Sequence, residues 1–303
     1  MTQIWLEGKV KLATDCFQCL QRLIYRASEL ATDDLDLRQK ARQEAEKVLI
    51  REFSPQQLSI VIASRIHEVI KEITRNPDPY RAVKEREMQI AREACIELGV
   101  KIRSPSQRPS RKRSDCSEET LVAHLKLAAA ANAIDFFSPA ESIRQEMTKS
   151  ICFAIDHSKC LYERLRQATK VLYLADNAGE VYFDLPLVRY IEQFAPVTYV
   201  VKPEPVQDDI TLEDIKNAGL ENEFSRIIDT GIASPGIILP LASMRFQQEF
   251  DSADLILAKG MGHYEALSEL TKQGRFFYCL KAKCKPVANA LSVDANSYVA
   301  MLQ

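Results

Sequence analysis

Apolar residues recur at helical spacing through the first half of the chain and collect into short unbroken runs in the second. Cys16, Cys19, Leu20, Leu23, Ile24 and Ala27 lie on one helical face behind Asp15, which is placed to cap it. Leu35 to Glu52 predicts a second helix. Ser54-Pro55 reads as a start signal for a third, through Leu58, Ile62, Ile66, Val69 and Ile73, ended by Asn76-Pro77-Asp78-Pro79. Tyr80 to Leu98 is helical again up to Gly99, and Ser117-Glu-Glu-Thr120 opens a helix through Leu121, Leu125, Ala128 and Ala131. Between them, residues 103–115 lack apolar periodicity and cluster Pro, Ser and basic side chains, the pattern of an exposed loop.

Val171 to Ala175 changes the rhythm. It is an apolar, β-rich run of the kind buried on both faces of a sheet, and it ends in the polar pair Asp176-Asn177. A small turn, Ala178-Gly179, leads into a helical run from Val181 to Phe194. Strands over Val197–Val201, Arg226–Ile228, Asp254–Ala258 and Phe276–Leu280 follow at about the 25 to 30 residues expected of βα units. Each exits into polar or small residues: Asp208-Asp209, Asp229-Thr230-Gly231, Lys259-Gly260-Met261-Gly262 and Lys281-Ala-Lys283-Cys284. Only two of the 9 glycines precede residue 170, which separates a helical first part from a turn-rich α/β part. The expectation is α/β: a mostly helical domain over 1–168 and a mostly parallel sheet domain over 169–303.

Charge and composition narrow the function. The net charge of −2 gives no argument for nucleic acid or anionic membrane, and Arg111-Lys112-Arg113 has no interleaved aromatics, so it reads as a solvated loop. No apolar run reaches transmembrane length, and the N-terminus lacks the pattern of a secretory signal. A cytoplasmic protein with its 8 cysteines mostly reduced is expected. Asp176 and Asn177 offer hard oxygen ligands for a divalent cation, and the helix behind them offers N–H groups to a phosphate; a plain helix cap is the equal alternative. Asn132 and Asp135 share a helical face in an apolar setting and need partners there; a site role and a helix end satisfied by its own turn are equal alternatives. Gly260 and Gly262 lack the third glycine of a dinucleotide loop. Cys16 and Cys19 read first as buried small residues, with a soft-metal or redox role, joined by Cys284, as the lesser alternative.

Taken together these residues resemble the damage-control phosphatase family, long catalogued as domain of unknown function eighty-nine, in its stand-alone prokaryotic form. Asp176-Asn177-Ala178-Gly179-Glu180 with Phe183-Asp184 carries the strongest likeness. Asp78-Pro79-Tyr80 with Lys84, Asn132 with Ile134-Asp135-Phe136, Asp209 with Thr211, Thr230-Gly231 with Pro235-Gly236, Lys259-Gly260-Met261-Gly262 with Tyr264-Glu265, and Lys281-Ala-Lys283-Cys284 follow the family order. The matches span nearly the whole chain, and their specificity lies in the set.

The resemblance implies a helical N-terminal part, a Rossmann-like α/β/α part and a metal-dependent phosphatase acting on small phosphometabolites, sugar phosphates or related damaged metabolites. The implied metal is Mn²⁺, Ni²⁺, Co²⁺ or Mg²⁺, held by Asp176, Asn177 and Asp209. Asp176, Lys281 and Asp135 are the catalytic expectations; Asn132, Gly179, Glu180, Glu265 and Lys281 are the substrate-side ones, with Lys283 competing for the phosphate. Two positions depart from the family pattern: Asp208 where Asn is usual, and His263 where Asn is common. Two other readings stand beside this one: a metal-assisted binding module without turnover, and a protein carboxyl methyltransferase, weighted lower because no glycine-rich nucleoside loop is present. A small phosphorylated metabolite is the expected partner, with no nucleic acid and no membrane; the sequence leaves the oligomeric state open.

Overall fold

The structure, a computed structural model, describes residues 10, 12–97, 116–132, 151–270 and 274–303. Asp135, Gly99 and the basic loop at 103–115 lie outside the described residues.

Four helices come first: α1 (Thr14–Ala31), α2 (Leu35–Glu52), α3 (Ser59–Thr74) and α4 (Arg81–Glu97), then α5 (Glu118–Ala131). Helix α1 starts two residues earlier than a cap at Asp15 implies. Ala13 is its N-cap, and Asp15 sits in the first turn, where a carboxylate still faces the positive end of the dipole. The Ser54-Pro55 signal makes a turn and no helix: Gln57 N–H closes on Ser54 O at 3.0 Å, with Pro55 in its favoured second position. The helix begins at Ser59. Helices α1 to α3 share a core of Leu20, Ile24, Ala41, Leu49, Ile62, Ile66 and Ile70, closed by Tyr80.

The rest is built on one sheet of seven strands: β1 (Phe153–Asp156), β2 (Val171–Leu174), β3 (Val197–Val201), β4 (Ile227–Asp229), β5 (Leu255–Lys259), β6 (Phe276–Lys281) and β7 (Tyr298–Leu302). Their spatial order is β1-β7-β6-β5-β2-β3-β4. All neighbours pair in parallel except β6 and β7, which are antiparallel. The continuous apolar runs are explained by the two cores. On β2, Val171 and Tyr173 face one core, while Leu172 and Leu174 face the other. The first is covered by α4, α5, α6 (Ser158–Leu165) and α7 (Val181–Ile191). The second is covered by α9 (Met244–Ser252), α10 (Gly260–Leu267) and α11 (Lys285–Leu291), with Leu58 and Ile60 from the start of α3.

This is the expected mixed, mostly parallel α/β/α architecture. The division of the chain runs differently from a cut at 168. The sheet takes in β1 and α6 upstream of that point, and α4 and α5 pack on the sheet, so only α1 to α3 keep a core of their own. Among the described residues no helix is long and apolar enough to cross a membrane. All eight cysteines are free thiols.

The chain steps from β2 to β3 and β4 on one side, then returns to place β5 and β6 on the other. The order therefore reverses between β2 and β5, which makes the space beyond their carboxyl ends a topological switch point. That is where open α/β sheets bind ligands.

Candidate functional site

Asp176 and Asn177 leave β2 at this switch point, and the β3 exit folds back onto them. Ile210 N–H donates to Asp176 O at 2.9 Å and Ala178 N–H to Asp208 O at 2.8 Å. Asn177 and Asp209 form an isolated antiparallel bridge. The intervening loop turns through Gln207, whose φ of 49° lies in the left-handed region. Asp176, Asn177, Asp208 and Asp209 thus share one edge of the sheet, all buried. Lys202, only 1% exposed, joins them from the end of β3, 3.3 Å from Asp209 Oδ2.

From the β5 side Gly260 closes on Asp176. Its φ is +76°, and a Cβ there would stand 1.9 Å from Asp176 Oδ2. Only glycine satisfies both the backbone and the carboxylate.

A buried polar network behind the edge fixes the amides. Asn132, at the end of α5, donates from Nδ2 to Asp176 Oδ2 at 3.0 Å and to Glu180 Oε1 at 2.7 Å, and its Oδ1 accepts from Lys281 N–H at 3.0 Å. Asn177 Nδ2 donates to the same Glu180 oxygen at 3.0 Å, which leaves Asn177 Oδ1 as the amide atom for a cation. Glu180 Oε2 accepts from Lys259 Nζ, which also donates to Asp184 Oδ1 and Ala128 O, each at 2.9 Å. Asp184 accepts further from Tyr173 Oη at 2.6 Å and Tyr199 Oη at 3.0 Å. Burial alone would push the Lys259 ammonium down; Asp184 and Glu180 more than offset it and hold the charge.

Electrostatics at the edge favour added positive charge. Burial, with Glu180 and Asp208 nearby, pushes Asp176 up to about 7 against the pull of Lys283 and Lys202. Burial also raises Asp209 well above the usual carboxylate range, helped by Asp176 and Asp208 and opposed by Lys202. Asp209 Oδ2 and Lys202 Nζ are close enough for an ion pair, yet neither has a hydrogen-bonding partner of good geometry. The set of carboxylate and amide oxygens, in which Asp209 Oδ2 has the Lys202 ion pair but no well-aligned hydrogen bond, fits a hard divalent cation such as Mg²⁺ or Mn²⁺.

The remaining expected residues fall into three places. Gly179 and Glu180 form the 3₁₀ turn Ala178–Glu180, and two of its N–H groups are committed, Ala178 to Asp208 O and Glu180 to Asn177 O. Lys281 reaches toward β7, its Nζ 5.1 Å from the Tyr298 ring centre, while Lys283 is the lysine whose charge acts most on Asp176. Glu265 accepts from the Ser59 hydroxyl and is pushed by burial up to about 7; its charge acts on Cys16 and Cys284. His263 is buried and neutral, held down to about 3 by burial and by Lys202, with Nδ1 2.7 Å from Lys259 O. Cys16, Cys19 and Cys284 lie near one another at the starts of α1 and α11, where Lys285 and Asp15 approach to 3.9 Å. Among the described residues no three His, Cys, Asp or Glu side chains are gathered as a ready metal cluster, there or at the sheet edge.

Sequence reasoning passed over Lys202 and the Lys259–Asp184 pair. For Lys202 the signal was a lysine ending an otherwise apolar strand; Lys259 and Asp184 both stand in the family motifs, but nothing local pairs residues 75 apart.

Comparison with known proteins gives a single answer. Residues 12–299 match the model of the damage-control phosphatase ARMT1-like domain. A damage-control phosphatase of Pyrococcus horikoshii is 34% identical over 299 residues, covering 96% of this chain and 98% of that protein. A damage-control phosphatase of Archaeoglobus fulgidus is 29% identical over 299 residues, covering 96% and 99%. The crystal structure of a Pyrococcus horikoshii protein of the domain of unknown function eighty-nine family superposes with a TM-score of 0.82 at 32% identity, over 96% of this chain and 99% of that one. With the fold, the strand-tip acids and a match along nearly the full chain in agreement, the protein belongs to the ARMT1-like damage-control phosphatase family.

Proposed function

We propose that the protein is a divalent-metal-dependent phosphatase that hydrolyses small phosphorylated metabolites, sugar phosphates or related damaged metabolites, in the cytoplasm. One observation carries the reading. Asp176, Asn177 and the Asp208-Asp209 turn meet at the switch point of the sheet, with a buried carboxylate oxygen that has an ion pair to the buried Lys202 but no well-aligned hydrogen bond. The family relationship supports it, since relatives of similar length bear the name damage-control phosphatase.

Asp176, Asp209 and the Asn177 Oδ1 would hold Mn²⁺, Ni²⁺, Co²⁺ or Mg²⁺. When bound, the ion polarises a phosphoryl oxygen and lowers the pKa of a water. The chain supplies the rest. Glu180 and Asn132 fix the amide and carboxylate so that no reorientation is needed when a phosphate arrives. Lys202 and Lys283, whose charges both act on Asp176, would neutralise charge developing on the transferring group. Lys281 contributes through its peptide N–H, which holds Asn132. Asp176 serves as ligand in this reading; its carboxylate is packed against Gly260 and bonded by Asn132, with little freedom to act as a nucleophile.

Turnover of p-nitrophenyl phosphate by protein stripped with a chelator, then reloaded with each of the four ions, tests the proposal. Activity should be absent after stripping and return with at least one ion, and Asp176→Asn should abolish the return. A Cys16→Ser/Cys19→Ser variant should behave as wild type, because thiolates are soft donors ill-suited to these sites. Activity that survives stripping, or is absent with every ion, overturns the reading; metal binding without turnover would leave a binding module.

A further inference from the structure

The loop that bears Asp208 and Asp209 is gripped from outside the sheet. Lys84, on α4, is 1% exposed and places Nζ 2.9 Å from Asp214 Oδ2 and 3.0 Å from Asp78 Oδ2. That same Asp214 oxygen accepts from Thr211 N–H at 2.9 Å and from the Thr211 hydroxyl at 2.6 Å. Thr211 N-caps the short helix α8 (Leu212–Asn217) and bridges Lys202 in parallel register. A second contact comes from α3, where Lys71 Nζ donates to Pro205 O at 3.0 Å. Both ends of the segment 203–211 are therefore fastened to the helical layer, while its middle faces Asp176.

We propose that Lys84 is a positioning residue for the site: by clamping Asp214 and Thr211 to Asp78, it holds the Asp208-Asp209 turn against Asn177. Burial and saturation by two carboxylates keep its ammonium away from any substrate, so it is distinct from Lys202 and Lys283. The chain thus uses an ion pair between its helical layer and its sheet to set the distance between two acidic strand exits. Asp78-Pro79 supplies a rigid anchor, with the Asp78 N–H bonded to Asn76 Oδ1 at 3.0 Å. The consequence for metal binding rests on the function proposed above; the consequence for the loop does not.

Lys84→Met keeps most of the side-chain volume and removes the charge. In the protein without added metal, amide hydrogen exchange across 203–211 should quicken at least tenfold, while exchange across 171–191 stays as in wild type. Affinity for Mn²⁺, read from the free-ion paramagnetic resonance signal, should fall at least tenfold, with kcat at saturating Mn²⁺ within threefold of wild type. Asp214→Asn, which keeps the Thr211 contacts and weakens the grip of Lys84, should move both readouts the same way by a smaller factor. Unchanged exchange in 203–211, or equal acceleration in both segments, overturns the proposal. So does failure of both variants to fold, which would make the triad a folding element only. A wild-type protein that binds no Mn²⁺ would sink the function reading and leave the exchange comparison to decide this one.

Discussion

Gly260→Ala isolates one contact on which the site depends. The new methyl would stand 1.9 Å from Asp176 Oδ2 and 2.3 Å from its Cγ. Ordinary contact begins near 3.4 Å, so the carboxylate oxygen must retreat by about 1.5 Å. A misplacement of roughly 1 Å at a reacting centre costs about a hundredfold in rate. The φ of +76° adds backbone strain of about 1–2 kcal/mol, and forced overpacking adds about 1–3 kcal/mol. In domains of about 150–250 residues each kcal/mol shifts Tm by about 2–4 °C. The expected result is a Tm lower by roughly 4–20 °C and kcat/KM on p-nitrophenyl phosphate lower by at least about a hundredfold. Gly219→Ala is the matched control. Its φ is +68°, but nothing lies within 4 Å of the added carbon, so it bears the backbone strain alone and should keep full activity. A Gly260→Ala protein with kcat/KM within about threefold of wild type would refute the claim that this glycine seats Asp176.

Lys259→Met removes the cation between Glu180 and Asp184, both wholly buried, and should cost about 3–5 kcal/mol, read as a lower Tm and poor soluble yield. A Tm within about 3 °C of wild type would mean the two carboxylates are satisfied by Asn132, Asn177, Tyr173 and Tyr199 alone. His67 is held down to about 3 by burial and sits edge-on to Tyr80, so it is neutral in the fold. The unfolded imidazole takes up a proton near pH 6.5. Between about pH 6.5 and 3 the unfolded state therefore binds more protons, and His67 draws stability down as pH falls, by at most about 1.4 kcal/mol per unit. His67→Phe should flatten the fall of the denaturant midpoint between about pH 6.5 and 4; an unchanged slope would count against this assignment.

Much of the sheet was legible because strands buried on both faces need unbroken apolar runs. β2, β3, β5 and β6 appear in the sequence nearly as they fold. β1 was not, because Phe153–Asp156 is an edge strand with alternate residues exposed, set in a polar stretch. β7 was not, because no helix follows it to complete the βα rhythm. That omission reached the site: the surroundings of Lys281 are set by Tyr298, a residue of the unseen strand. Asp176, Asn177 and Asp209 were visible as polar residues at strand tips. The office of Glu180 was not, since its partners Asn132 and Lys259 lie 48 and 79 residues away. Local pattern shows which groups stand at an edge; it does not show which of them are spent on one another.

The seating of β7 between β6 and β1 has a consequence for synthesis. Among the described residues, β1 is made before the other six strands, but its only neighbour in the sheet is the strand made last of the seven. β6 can pair with β5 at once, but its other edge stays open until β7 arrives, where Gln303 N–H donates to Phe276 O at 2.8 Å and Gln303 O accepts from Phe276 N–H at 3.2 Å. On the ribosome, the helical layer and the β2-to-β6 sheet can assemble as they emerge, while β1 has no neighbour to pair with until Tyr298–Leu302 leaves the exit tunnel. A chain cut short before Tyr298 would lose two strands from the sheet for the price of one.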